Sequence, residues 1–274
     1  MYGINTSVNT SVLASLRQIN SDISATQTRI GTGKKINSAS DNAAVWSTSQ
    51  SIKSDLKAQE GLTSGIAVAK GKADTAVAAI DTIVNLLGQI KTIAASTAAN
   101  PPSSYTAVTN QVTALKAQIT AAVAGAKFQG INLLSDADGT LAATIGVAGG
   151  TAQTVSVTTI RQDDTADTLG VFNAIGTITD AATATTLSTG VDTAVAALGA
   201  YQASLSTFST ALGIQADFQK TLSGIRQNAL SELLDADLTE ESAKVTALQT
   251  QQQLAYQALS IGNSSSQNIL RLFQ

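Results

Sequence analysis

The chain contains no cysteine and no histidine among its 274 residues. The first absence excludes disulfides, thiol nucleophiles and thiolate zinc sites. The second removes the usual general base and the commonest metal ligand. Any metal site would need carboxylates alone. Aromatic residues reach only 4%, so Ala, Val, Ile and Leu must build the core, and such side chains favour close helix–helix contact. Charged residues are 13% and the formal net charge is −3, which offers no basic face to a nucleic acid. The only prolines are the adjacent Pro101 and Pro102, leaving long stretches without the residue that stops helices. No run approaches the roughly 20 apolar residues that span a bilayer, so no membrane insertion is expected. The opening MYGINTSVNTSVLASLRQ lacks the basic and apolar regions of a cleaved secretory signal. The lack of cysteine selects no compartment. It suits the cytosol and also an export route that bypasses oxidative folding.

What the chain does have is heptads at both ends. Val12, Leu16, Ile19, Ile23 and Ile30 stand in 4-3-4-7 spacing, and Val245, Leu248, Ala255 and Leu259 in 3-7-4 spacing, with Gln252 in the skipped seat. Each set forms a narrow stripe on one helix face that must be covered by another helix. Two inner stretches carry similar stripes. Val77, Ile80, Val84 and Leu87 precede the Pro-Pro pair. Tyr105, Val108, Val112, Leu115, Ile119, Ala122 and Ala126 follow it, with Ser103 or Ser104 as cap. Helix, Pro-Pro loop and helix predict an antiparallel hairpin. Helical period returns near Leu198 and continues through Tyr201, Leu205, Phe208 and Leu212. Between about 130 and 186 it fades. There TAQTVSVTTI (151–160) alternates as a half-buried strand, and LAATIGVAG (141–149) is a weaker strand able to pair with it. The fold class that follows is mainly α: a long antiparallel, coiled-coil helical bundle drawn from both chain ends, with a small β-containing central insert.

No motif here carries catalysis. GTGKK (31–35) lacks the phosphate-loop glycine, since Thr28 holds that seat, and Lys35 stands where Ser or Thr is required. A helix-ending glycine turn is the better reading. DADG (136–139) opens like a calcium loop, but Val147 occupies the twelfth seat, so a tight turn is expected. Asp237 with Glu240 reads as a capping box, and Glu241 suits the same positive helix end. Trp46, the only tryptophan, is assigned a packing role. No enzyme activity, cofactor or metal is expected.

Two separated blocks then meet a family. TGKKINSASDNAA (32–44), GIAVAK (65–70) and AKFQGINLL (126–134) lie in the first half, and LLDADLTEESAKVTALQTQQQLAYQALSIGNSSSQNILRLF (233–273) closes the chain. Together they resemble bacterial flagellin, especially the short flagellins of alphaproteobacteria, over roughly 1–135 and 190–274. The resemblance implies an inner coiled-coil layer from 1–44 and 233–274, a helical bundle from 45–135 and 186–232, and a small exposed insert at 136–185. It also implies a self-assembling helical homo-polymer that drives swimming. The subunit would be exported to the outside by the flagellar type III route, and its partners would be an export chaperone, a filament cap and hook-junction proteins. In a free monomer the terminal stripes would lack partners and stay mostly disordered. Phe128-Gln129-Gly130 replaces the family's Phe-Asn-Gly. In LLGQIKTIAAS (86–96), Gln89 and Lys91 stand where enteric flagellins carry receptor-binding arginines, and Thr92 replaces an acid. A hook–filament junction protein and a secreted surface-binding module are the alternatives. A zinc-protease insert is excluded by the missing histidines.

Overall fold

The computed structural model describes residues 2–134, 140–148, 151–158 and 177–272. The expected turn at 136–139 lies outside them. Among the described residues five helices and two hairpins follow one another: α1 (Tyr2–Thr32), α2 (Ala43–Ala99), α3 (Thr106–Gly125), β1 (Lys127–Phe128), β2 (Ile131–Asn132), β3 (Thr140–Ala148), β4 (Thr151–Thr158), α4 (Ala181–Leu234) and α5 (Leu238–Leu272). They form two compact units, Met1–Lys57 with Gly224–Gln274, and Ala58–Ser223.

The core of the second unit is a pair of long heptad stripes. On α2 the seats are Ile66, Ala69, Ala73, Ala76, Ile80, Ile83, Leu87, Ile90 and Ala94, all buried. On α4 they are Ala184, Leu187, Val191, Ala194, Leu198, Tyr201, Leu205, Phe208 and Leu212. Both run in strict 3-4 alternation, the spacing that keeps one helix face on its neighbour. The pair is antiparallel: Lys91 meets Asp192, Asp81 meets Gln202 and Asp74 meets Ser209. From the expected set, Ile80 and Leu87 are fully buried, while Val77 and Val84 pack at the margin of the stripe. Alanines hold four of the nine α2 seats, so the stronger Val77 and Val84 draw the eye one position aside. On α3, Val112 and Ile119 are buried, with Val108 and Leu115 packed at their edge. The chain leaves helix at Ala99, before Pro101. Tyr105, not a serine, is the N-cap of α3 and makes no side-chain cap bond. Ser104 Oγ stands 3.5 Å from the Thr106 N–H, too long for a firm bond.

One window of α2 is long and apolar enough to cross a bilayer, contrary to the sequence reading; 28% of it is buried.

α4 starts at Ala181, well before the periodicity near Leu198. Asp180 caps it: its Oδ1 accepts the Thr183 N–H at 2.7 Å, while the Asp180 N–H donates to Thr183 Oγ1 at 3.0 Å. The two strand candidates pair antiparallel as β3 and β4, with an irregularity between Thr144 and Gly146. Their inner face is not a free knob. Ala143 and Val157 are buried in the helical core, with Leu141, Ile145 and Val155 packed against it. The Ile145 carbonyl accepts from Gln215 Nε2 at 2.9 Å and Gln219 Nε2 at 2.7 Å, and Gln59 Nε2 donates to the Gln219 carbonyl. Short β1 and β2 close through Gln129 (φ +49°) and Gly130 (φ +82°), the two left-handed residues of a type I′ turn. The Phe128 ring then lies on α2 at Gly71, where a Cβ would fall 2.7 Å from its Cζ. Asn132, wholly buried, donates to the Val123 carbonyl at 2.6 Å and accepts the Leu134 N–H at 2.9 Å.

Candidate assembly site

The terminal stripes meet within one chain. α1 and α5 pack together antiparallel. Gln252 Nε2 donates to Asn20 Oδ1 at 2.5 Å, and Arg29 pairs with Glu241 at 3.3 Å, so rising numbers on α1 meet falling numbers on α5. Leu16 and Leu248 are buried, at 5% and 8% exposure. Val12, Ile19, Ile23 and Ile30, with Val245, Ala255 and Leu259, are half-buried. The skipped seat of the first stripe is Thr26, buried with its hydroxyl donating to the Asp22 carbonyl at 2.8 Å. The expectation that the stripes lack partners is corrected: each has its partner in the same chain. Among the described residues Leu16 and Leu248 are the two fully covered apolar seats of these stripes.

A clasp sets this pairing. Gly33 follows α1 with φ +69°, the left-handed residue that ends a helix, as GTGKK suggested. The Lys35 N–H donates to the Leu234 carbonyl at 2.7 Å and the Ala236 N–H to the Gly33 carbonyl at 2.9 Å. Between them Lys34 and Asp235 form an antiparallel bridge. Lys35 Nζ reaches the Glu232 carbonyl at 2.7 Å, a favourable place for a cation at the end of α4. Asp237 Oδ1 accepts the Thr239 and Glu240 N–H groups at 2.8 and 3.2 Å and so caps α5. Among the described residues Glu240 returns no bond, so only half of the expected capping box forms. Asn37 and Ser38 donate backbone N–H groups to Asp41 Oδ2 at 2.8 and 2.9 Å. These bonds hold the Asp41 carboxyl below the usual 3.8. Asn42 Oδ1 then caps α2 through the Val45 N–H at 3.1 Å.

Behind the clasp, Ile36, Leu230 and Leu234 form a small core with Val45, Trp46, Ile52 and Leu56 against it. Lys53 Nζ lies 5.4 Å from the centre of the Trp46 ring. Sequence reasoning missed the clasp. Its two strands are some 200 residues apart and too short to alternate, although both fall inside the blocks that carry the family resemblance.

The segment 86–96 presents Gln89, Lys91 and Thr92 at the surface of α2. Lys91 Nζ pairs with Asp192 at 2.5 Å, and the Thr92 hydroxyl turns back to the Gly88 carbonyl at 2.9 Å. No cluster of three or more acidic residues able to hold a metal occurs among the described residues. What this arrangement offers is association of helices.

Comparison with known proteins gives the same picture. The bacterial flagellin N-terminal helical region matches residues 4–138, and the bacterial flagellin C-terminal helical region matches 182–273. Flagellin FljM of Caulobacter vibrioides is 37% identical, covering 96% of this chain and 94% of that protein. A flagellin of Brucella melitensis is 36% identical over 96% and 95%. Flagellin C of Rhizobium meliloti is 31% identical over 96% of each. The crystal structure of Bacillus cereus flagellin aligns at a TM-score of 0.48 and 19% identity, over 56% of this chain and 86% of that one.

Proposed function

The chain belongs to the bacterial flagellin family, and from that premise we propose how its parts build a polymer. It is a structural subunit of the flagellar filament, and its copies associate at the extracellular surface of the cell. The carrying observation is the clasped α1–α5 pair, which makes both chain ends one helical arm. In the proposed arrangement the inner layer is 1–44 with 233–274, and the bundle is 45–135 with 186–232. The segment 136–185 is the short variable insert, and its β3–β4 hairpin seats on the bundle. Successive copies join by heterologous contacts that do not close into a ring, which generates a helical fibre. Export follows the flagellar type III route without cleavage, with a chaperone, a filament cap and hook-junction proteins as partners. The chain performs no catalysis and needs no cofactor.

The same reading extends to recognition by host cells. Gln89 and Thr92 carry no charge, and Lys91 is tied to Asp192, so the segment lacks an arginine surface. A receptor reporter-cell assay is expected to give a weak response, and a response equal to that of an enteric flagellin would refute this.

The filament reading is tested by seeding the purified protein with short filament fragments and imaging by electron microscopy, beside a version lacking 240–274. Long tubes from the intact chain alone are expected. A ring or short stack would favour a junction protein, and an ordered monomer with both versions alike would end the assembly reading.

A further inference from the structure

The α1–α5 seam does not by itself identify its owner. Its apolar seats recur at 3 and 4, and every copy of the chain carries the same two stripes. Its polar contacts, Asn20 with Gln252 and Arg29 with Glu241, would form equally well between two copies. Arg29 meets one oxygen of Glu241, and among the described residues the other, Oε2, is buried without a hydrogen-bond partner. Nothing in the seam therefore distinguishes the α5 of the same chain from that of a neighbour. The distinction must come from how α5 is tethered, because a tether sets the effective concentration of one helix at another.

The connection from α4 to α5 is three residues, Asp235, Ala236 and Asp237. Left free, such a link spans roughly 10 Å and lets α5 leave α4 in many directions. The clasp removes that freedom. The Leu234 carbonyl, just before the link, accepts the Lys35 N–H at 2.7 Å, and the Ala236 N–H inside the link donates to the Gly33 carbonyl at 2.9 Å. The segment that grips the link follows directly on α1, since Gly33 turns the chain there with φ +69°. Asp237 then caps α5. One turn further on, Glu241 meets Arg29, which lies in the last turn of α1. α5 thus starts beside the end of its own α1.

We propose that the clasp, and not the seam, determines the partner of α5: it selects the α1 of the same chain and blocks exchange of α5 between copies. Gly33, Lys35 and Ala236 are its positioning residues, acting through backbone groups on a helix none of them belongs to. The inference rests on the filament reading, since selection matters only where copies crowd together. Exchange of an identical element between subunits is the outcome that a loosened hinge invites. Because two backbone donors hold the link, removing an N–H at constant chain length releases α5, whereas changing a side chain and keeping the N–H does not.

The test mixes two full-length chains in equal amounts, one carrying Asn20→Cys and the other Gln252→Cys, and extends filament seeds with them. The chain has no native cysteine, so a short bismaleimide can join only these two positions, and a joined pair marks α1 of one copy against α5 of another. With the clasp intact little joining is expected. Ala236→Pro placed in both chains is expected to raise the joined fraction at least fivefold, and Lys35→Pro to do the same. Ala236→Ser, which keeps the N–H, is expected to match the intact clasp. Equal joining with and without the proline, or proline forms that no longer extend seeds where Ala236→Ser does, overturns the proposal, which leaves the seam itself able to pair. Failure of the unsubstituted chain to extend seeds would instead overturn the filament reading.

Discussion

Gly65 and Gly71 sit on the same helix, yet replacing each by alanine is expected to move stability in opposite directions. Both substitutions gain helix propensity, about 1 kcal/mol for Gly to Ala. At Gly65 nothing lies within 4 Å of the new Cβ, so Gly65→Ala keeps the whole gain. At Gly71 the new Cβ would stand 2.7 Å from Phe128 Cζ and 3.0 Å from both Cε atoms. The ring cannot stay where it is, and its displacement pulls on the turn that carries Gln129 and Gly130. Overpacking of this kind costs about 1–3 kcal/mol, so Gly71→Ala is expected to destabilise by about 1 kcal/mol net. In a domain of this size 1 kcal/mol shifts Tm by about 2–4 °C. Thermal unfolding followed by circular dichroism should show Gly65→Ala above the parent and Gly71→Ala below it. Phe128→Ala supplies the control. In that background Gly71→Ala is expected to stabilise, giving a coupling of about 2 kcal/mol between the two sites. If Gly71→Ala raises Tm as much as Gly65→Ala with Phe128 present, the close approach of ring and helix is wrong.

Further outcomes follow from other parts of the structure. Gln129 holds φ +49°, a region that costs an ordinary residue about 1–2 kcal/mol and that asparagine tolerates better; Gln129→Asn is therefore expected to raise stability by about 0.5 kcal/mol in denaturant titration. Leu248→Ala removes one of the two well-covered apolar seats between α1 and α5, at about 2–3 kcal/mol. Hydrogen exchange in the monomer is expected to quicken across both helices while the core around Ile80 and Leu198 stays protected. Asp41 and Asp180 are held below the ordinary 3.8 by donors, from Asn37 and Ser38 in the first case and Thr183 in the second. A depressed carboxylate contributes stability that is present above 3.8 and lost as pH falls through the lower folded value. On acidification below about 3.8 the amides of Asn37, Ser38 and Thr183 are expected to lose protection together with carboxyl protonation, and Asp180→Ala to remove the pH dependence at the start of α4.

Much of this architecture is legible in the sequence, because heptads are local and repetitive. The terminal stripes, the break at Pro101, the pairing of β3 with β4 and the glycine turn at 33 are each announced by neighbouring residues. What is hidden has physical reasons. Alanine seats such as Ala69, Ala73, Ala76 and Ala94 pack as closely as isoleucine but add little to a hydrophobic pattern, so the stripe of α2 looks shorter and rotated. The first turns of α4 are masked by threonines, residues that favour strands; the signal that survives is Asp180 with Thr183, a helix-start pair. The hairpin reads as an outward insert because its outer face is polar, and only Ala143 and Val157, small or isolated, mark the face that seats on the bundle. The clasp of Gly33–Lys35 with Leu234–Ala236 is made by backbone groups, which no side-chain pattern records.

The central claim is that both chain ends form one arm, paired within each subunit, and that this arm drives filament growth. Cryo-electron microscopy of seeded filaments tests it most directly. The account predicts a tube whose innermost wall is built from α1 and α5 of the same subunit, with Asn20 level with Gln252 and Arg29 with Glu241. A wall in which α5 pairs with the α1 of a neighbour, or from which the two helices are absent, would contradict it.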